Sequence, residues 1–256
     1  MNRIALGFVA AVAMTGSAFA ADMAVKARPS MAPVVVYNWS GCYIGGNVGG
    51  GWERTRQDQV AKVGGAAINN NYGSSDGSNV VGGGQIGCDY QFANIWVIGI
   101  QGMYDYARID TSHIIPAFPA FNSNVRLKDM YTVTGRIGYL VTPQLLGYVK
   151  GGGAWTSVDY VINGFGPPAF NSENAFGASR SGWTVGGGLE WMFAPGWSAF
   201  GEFNYMDFGN KNVNFVTAPG VVGLPDVVRT KLDIEQFLFG VNYKFNFGGP
   251  AVVAKY

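Results

Sequence analysis

The chain has 256 residues, with 17 Lys and Arg against 16 Asp and Glu and a formal net charge of +1, so it has no basic surplus to hold nucleic acid or an anionic membrane surface. Charged residues amount to 13%, hydrophobic ones to 48%, and there are 39 glycines, which excludes a coiled coil and departs from a helical enzyme. The length suits a single domain.

At the N-terminus, Arg3 precedes an apolar run over 4–15, and Ala18-Phe19-Ala20 offers small residues before Ala21. Residues 1–20 therefore read as a signal peptide removed on export. A membrane helix is the weaker reading, because Gly16-Ser17 breaks the run and a span needs about 20 apolar residues. Residues 21–38, with Pro29 and Pro33, follow neither helical nor strand periodicity and read as a periplasmic tether. No later stretch has the apolar length of a membrane helix, so insertion would have to come from strands.

From Trp39 to Phe247 the chain alternates. Cys42, Ile44, Val48 and Trp52 share one parity, with Tyr43 and Asn47 on the other. Val80, Ile86, Cys88, Tyr90 and Phe92 oppose Gln85, Asp89 and Gln91; Trp96, Ile98, Ile100 and Tyr104 oppose Gln101 and Asp105; Val133, Ile137 and Tyr139 oppose Lys128, Thr132, Thr134 and Arg136. The second half repeats the split: Val149 and Trp155 against Lys150 and Thr156; Trp183, Val185, Leu189, Trp191 and Phe193 against Thr184 and Glu190; Trp197, Ala199, Phe203 and Tyr205 against Ser198, Glu202 and Asn204; Phe237, Phe239, Val241, Tyr243 and Phe245 against Gln236, Asn242 and Lys244. Each segment has one apolar and one wet face, as a membrane-spanning strand of about 9 to 11 residues requires.

The connections are asymmetric. Polar stretches at 55–78, 109–125, 161–181 and 210–229 are long, whereas Ala93-Asn94, Thr142-Pro143-Gln144 and Ala194-Pro195-Gly196 are short. Short periplasmic turns and long extracellular loops are the pattern of an outer-membrane barrel. Eight strands give an even number that closes the sheet and leaves no edge, so the fold class is an all-β, eight-stranded antiparallel transmembrane barrel over 39–247, expected as a monomer. Trp39, Trp96, Trp191 and Trp197 fall at the turn ends, Trp52, Trp155 and Trp183 at the loop ends, and all but Trp39 lie on the lipid parity, which reads as an aromatic girdle at both interfaces. Residues 248–256 form a tail; either Phe247 or Tyr256 supplies the terminal aromatic read by the barrel assembly machinery.

No catalytic, metal or cofactor set emerges. The run from Gly82 to Gly87 fits GxGxxG, but a strand and a hairpin turn follow it rather than a helix, so strand glycine is the better reading. His113 is the only histidine; Asp110 and Ser112 lie near it, too few to bind a metal or assemble a hydrolase. Cys42 and Cys88 share parity near the periplasmic rim of neighbouring strands, which favours a disulfide in an oxidising compartment; a register slip would leave two separate lipid-facing thiols.

Counted from their turns, Arg136 lies six residues before Thr142, Lys150 five after Leu145, Glu190 four before Ala194 and Glu202 five after Trp197. All four are on the inward parity, so they are expected to pair as a network plugging the lower lumen, unless strand shear offsets their heights. Asp226, in the fourth loop, reads as a solvated contrast to them.

The segments Asn38-Trp39-Ser40-Gly41-Cys42-Tyr43-Ile44-Gly45-Gly46-Asn47, Gly83-Gly84-Gln85-Ile86-Gly87, Gly135-Arg136-Ile137-Gly138-Tyr139, Gly182-Trp183-Thr184-Val185-Gly186 and Val241-Asn242-Tyr243-Lys244-Phe245 resemble the small OmpA-like, porin-family outer-membrane β-barrels of alphaproteobacteria. The resemblance implies an immunogenic surface protein of the outer membrane and carries over no catalytic residues; Cys42 and Cys88 depart from it, standing where an aromatic is more usual. An eight-stranded barrel is just wide enough for its own side chains, so the expectation is a structural, surface-exposed protein set in outer-membrane lipid and lipopolysaccharide, with loops free to contact a surface or host ligand of unassigned identity. A narrow gated channel for small solutes or ions is the alternative. A soluble lipocalin-type barrel would need the reverse parity.

Overall fold

The computed structural model describes residues 37–164, 170–220 and 224–245. The signal peptide, the tether up to residue 36, Phe247 and the tail lie outside the described residues.

Among the described residues, eight long strands and one short one form a single antiparallel sheet: β1 (Gly41–Lys62), β2 (Ala67–Phe92), β3 (Trp96–Ile114), β4 (Phe121–Thr142), β5 (Leu145–Gly164), β6 (Phe170–Ala194), β7 (Trp197–Asn214), the two-residue β8 (Val216–Thr217) and β9 (Asp226–Phe245). Each long strand pairs with its neighbour in sequence, and β1 pairs with β9 from Cys42↔Phe245 to Lys62↔Asp226, which closes the ring. At one end the strands meet in tight turns. Thr142↔Leu145 and Ala194↔Trp197 enclose two residues each, and Gly196 takes φ 78, the left-handed conformation that a turn led by Pro195 demands at its second position.

Between the girdles the ring is inside-out. Ile44, Val48, Ile86, Ile100, Val133, Val149, Leu189 and Phe239 are exposed to the surroundings, while Gln85, Gln101, Thr134, Glu190, Ser198 and Asn242 are buried in the lumen. Trp52, Trp96, Trp155, Trp183, Trp191 and Trp197 stand outward at 39–52% exposure, several against a neighbouring tyrosine such as Tyr139, Tyr205 or Tyr243. Trp39 does not join them. It is fully buried, inside the turn end of the barrel, because it precedes β1 and its backbone and indole N–H groups find partners within, on Gln91 and Pro143.

The long polar stretches remain in the ladder. β1 and β2 stay paired from Gly41↔Asp89 up to Ala61↔Ala67, so the connection shrinks to 63–66, and β3 and β4 pair up to Ile114↔Asn122. The long strands have 18 to 26 residues, about twice what a bilayer needs. Above the upper girdle the polarity flips, on β9 without a change of parity. On β9, Phe237 and Phe239 point outward, but further up Val228, Leu232 and Ile234 point inward while Arg229 is exposed. The inward residues join Ile109, Val125, Leu127, Val158, Tyr160, Met206 and Phe208 in a hydrophobic core that fills the upper barrel. The arrangement expected of a soluble barrel thus occurs here, stacked on a membrane barrel built from the same strands. Lys128, placed by alternation on the wet inner face, sits at a β-bulge between Leu127 and Asp129, where the parity shifts, and turns to Asp159 at 2.6 Å instead.

Cys42 and Cys88 face each other across β1 and β2 near the turn end and are bonded. A bridge spanning 46 residues is expected to stabilise the fold by about 2–4 kcal/mol. Mass spectrometry of unreduced peptides should recover the two cysteines as one cross-linked species; two free thiols in protein taken from the envelope would contradict this.

Candidate functional site

The lower lumen holds the densest chemistry. β4 and β5 pair Arg136 directly with Lys150, which sets two cations side by side, an unfavourable cross-strand pair unless anions intervene. They do. Arg136 donates through Nε and Nη2 to Asp89, at 2.8 and 2.5 Å, and through Nη1 to Glu190 at 3.0 Å. Lys150 donates to Glu202 at 2.7 Å and to Gln101 at 2.9 Å. Lys244 donates to Asp89 at 2.6 Å and to the Trp39 carbonyl at 2.8 Å. All six charged side chains are buried, three cations against three carboxylates.

Neutral groups complete the set. Glu190 accepts from Ser198 at 2.6 Å and Asn242 at 3.0 Å, and Asn242 accepts in turn from Gln85 at 2.7 Å. The Tyr148 hydroxyl donates to Glu202 at 2.8 Å, and the Arg136 guanidinium lies 4.9 and 5.1 Å from the Tyr43 and Tyr148 ring centres. Tyr148 thereby connects the Arg136 and Lys150 halves. Inward glycines make the room: a Cβ at Gly99 would fall 2.2 Å from Asp89 Oδ1, and one at Gly45 would fall 2.1 Å from Asn242 Oδ1. Beneath the charges, Trp39 packs with Val97, Leu140, Leu146, Tyr148 and Met192 across the turn end. From that end the lumen holds an apolar plug, a charged layer, and the apolar upper core.

The structure brings together all four residues chosen from sequence, Arg136, Lys150, Glu190 and Glu202, and adds two that were missed. Asp89 stands four residues before Ala93, the same height at which Glu190 stands before Ala194, so the turn-counting signal was available. Lys244 had no such marker, because no turn follows β9 among the described residues. His113 is not in the lumen network. It lies on β3 above the girdle with Nε2 2.7 Å from the Tyr72 carbonyl, and burial lowers its pKa. Ser112 is exposed beside it, and the Gly82 to Gly87 run lies within β2. Among the described residues no group of three or more His, Cys, Asp or Glu is arranged to hold a metal ion. Asp226 is not solvated: it is buried and accepts from Gln59 at 2.6 Å, Lys62 at 2.8 Å and Tyr72.

Residues 7–245 match the sequence profile described as outer membrane protein beta-barrel domain. The chain belongs to that family. The 31 kDa outer-membrane immunogenic protein of Brucella melitensis is 29% identical over 251 residues, covering 96% of this chain and 100% of the relative. The 25 kDa outer-membrane immunogenic protein of the same organism is 28% identical over 249 residues, covering 96% and 99%. Among solved structures, OprG from Pseudomonas aeruginosa aligns with 83% of this chain and 99% of its own at 15% identity and a TM-score of 0.47. The protein is an outer-membrane β-barrel, and the two Brucella relatives are named outer-membrane immunogenic proteins.

Removing one partner of a buried charge set leaves the other uncompensated and typically costs about 3–5 kcal/mol. Arg136→Met should therefore destabilise the barrel to urea in detergent far more than Arg126→Met, whose pair with Asp110 is exposed. In a double-mutant cycle the Arg136→Met and Glu202→Gln effects should be non-additive, because Tyr148 couples them; independent additive losses would show two unconnected pairs.

Proposed function

We propose that this protein is a sealed outer-membrane anchor that presents four stiff β-hairpins at the cell surface. One observation carries the reading: buried side chains cross the lumen in successive layers, the Trp39 plug, the charged layer and the apolar upper core. A barrel without a free passage acts through its outer surface, its hairpin tips and its upper mouth rather than by passing solutes. The name of the relatives, outer-membrane immunogenic protein, supports a surface reachable by immune recognition. Contacts with lipopolysaccharide around the girdle and with a surface or host ligand at the tips belong to the same proposal.

A narrow gated channel has one observation in its favour. In the middle of the lumen Asn47 Oδ1, Asp105 Oδ1, Thr134 Oγ1, Asn204 Oδ1 and Gln236 Oε1 are buried without a hydrogen-bond partner, as groups lining a wet passage would be. Planar-bilayer recording separates the readings. The sealed anchor predicts no stepwise conductance in the native protein, and an ohmic conductance would move the channel ahead.

Surface proteolysis of intact cells tests the presentation. Cuts should fall at the tips, near Gly64-Gly65 and Pro116-Ala117, and not at Arg180, which is fully buried with its guanidinium on Thr230 and the Gly209 carbonyl. Cleavage next to Pro143 or Pro195 would invert the orientation.

A further inference from the structure

The upper mouth of the barrel contains a second built site, independent of the charged layer below. A cavity of about 150 Å³ is lined by Gln59 and Lys62 of β1, Tyr72 of β2, Ile115 and Phe118 of the β3–β4 turn, Phe121 of β4, Ile162 of β5, Glu173 of β6 and Asp226 of β9. Six of the eight long strands and one turn converge on it. The two carboxylates and Lys62 share the wall with Ile115, Ile162 and the aromatic rings, Tyr72 and Phe118 lying edge to face at 6.1 Å.

The two carboxylates are not equivalent. Asp226 is fully engaged: Oδ1 accepts from Gln59 and Lys62, and Oδ2 from the Tyr72 hydroxyl, so its charge is compensated by Lys62. Glu173 is also buried, but it accepts only the Asp226 backbone N–H, at 2.9 Å. Among the described residues no cation lies within ion-pair distance of it. The fold fixes it there, because β8 pairs Thr217 with Glu173 while the Phe215 N–H donates to the Asp226 carbonyl. The cavity wall therefore holds one carboxylate more than its lysine offsets, next to apolar and aromatic surface. A buried carboxylate in that position is stabilised either by a proton or by a cation.

We infer that this cavity binds a small organic ammonium ion, with Glu173 as counter-ion and Tyr72, Phe118 and Phe121 enclosing its apolar body. A protonated amine matches both kinds of group in the wall, since its N–H groups donate to the carboxylate and its cationic end is attracted by aromatic faces. A carboxylate ligand of the same size meets the wrong charge, and an inorganic cation leaves the aromatic rings unused. Burial holds the Glu173 carboxyl above the usual carboxylate range; the Asp226 backbone N–H opposes the rise, the Asp226 charge adds to it and Lys62 opposes it, and with Tyr72 these are the titratable groups of the wall. Ammonium binding therefore strengthens as pH rises through the Glu173 pKa and fades below it.

The test is calorimetric titration of the full folded barrel in detergent micelles with phenethylammonium chloride, with phenylpropionate and magnesium chloride as comparators. The expected result is saturable binding of phenethylammonium, none of phenylpropionate, and an affinity loss of at least about tenfold in Glu173→Gln with the heat-modifiable gel shift retained. No saturable binding of phenethylammonium, equal binding of phenylpropionate, binding of magnesium alone, or an unchanged affinity in Glu173→Gln would each overturn the proposal. Should Glu173→Gln not refold, Phe118→Ala decides in its place: Phe118 is partly exposed in a turn, and an affinity unaffected by its loss overturns the site.

Discussion

Closure of the ladder between β1 and β9 is the constraint from which the rest of the molecule follows. A ring of eight strands has no edge to protect and a lumen only as wide as the side chains that line it. Most inward polar groups find their partners among other inward residues, the mid-lumen atoms of Asn47, Asp105, Thr134, Asn204 and Gln236 being exceptions. The turn end meets this with charge: Arg136 and Lys150, forced side by side by register, are separated by Asp89, Glu190 and Glu202. The upper end meets it with apolar packing around Leu127, Tyr160 and Leu232. Glycines at 45 and 99 are part of the same solution, because a methyl group there would strike the polar side chains that cross the lumen.

How much of this was legible depended on which medium each face meets. Within the bilayer, lipid selects apolar residues for one face and the lumen selects polar ones for the other, so the period of two is plain in stretches such as Phe237 to Phe245. The six outward tryptophans mark where that stops. Above the girdle the signal weakens for a physical reason. On β1 both faces are polar over Glu53, Arg54, Thr55, Arg56, Gln57, Asp58 and Gln59, the outward face meeting water and the inward one bonding to its neighbours, as Ser123 does with Gln57 and Thr55 with Glu53. No hydrophobic alternation survives, and the stretch reads as a loop although it is a strand.

The lumen charges were found by counting residues from tight turns, a ruler that works only where a turn is present. It reaches Arg136, Lys150, Glu190 and Glu202, and Asp89 at four residues before Ala93, but has no zero mark for Lys244. Trp39 shows the converse limit. Its type and its place near a strand end suit a girdle, but its parity did not, and parity was the better guide: an indole ahead of the first strand closes the bottom of the barrel because its N–H and backbone have partners inside.

The inversion of polarity along strands such as β9 has a consequence for how the surface can change over time. In the upper barrel the inward residues are committed to a packed interior, while the outward ones meet solvent and one another in exposed pairs such as Arg54 with Asp76 and Arg126 with Asp110. Sequence change compatible with the fold is therefore concentrated on the outward positions, in a two-residue rhythm that shifts wherever a β-bulge does, as at Lys128. The chemistry of the outer face can be replaced there while the backbone shape stays constant.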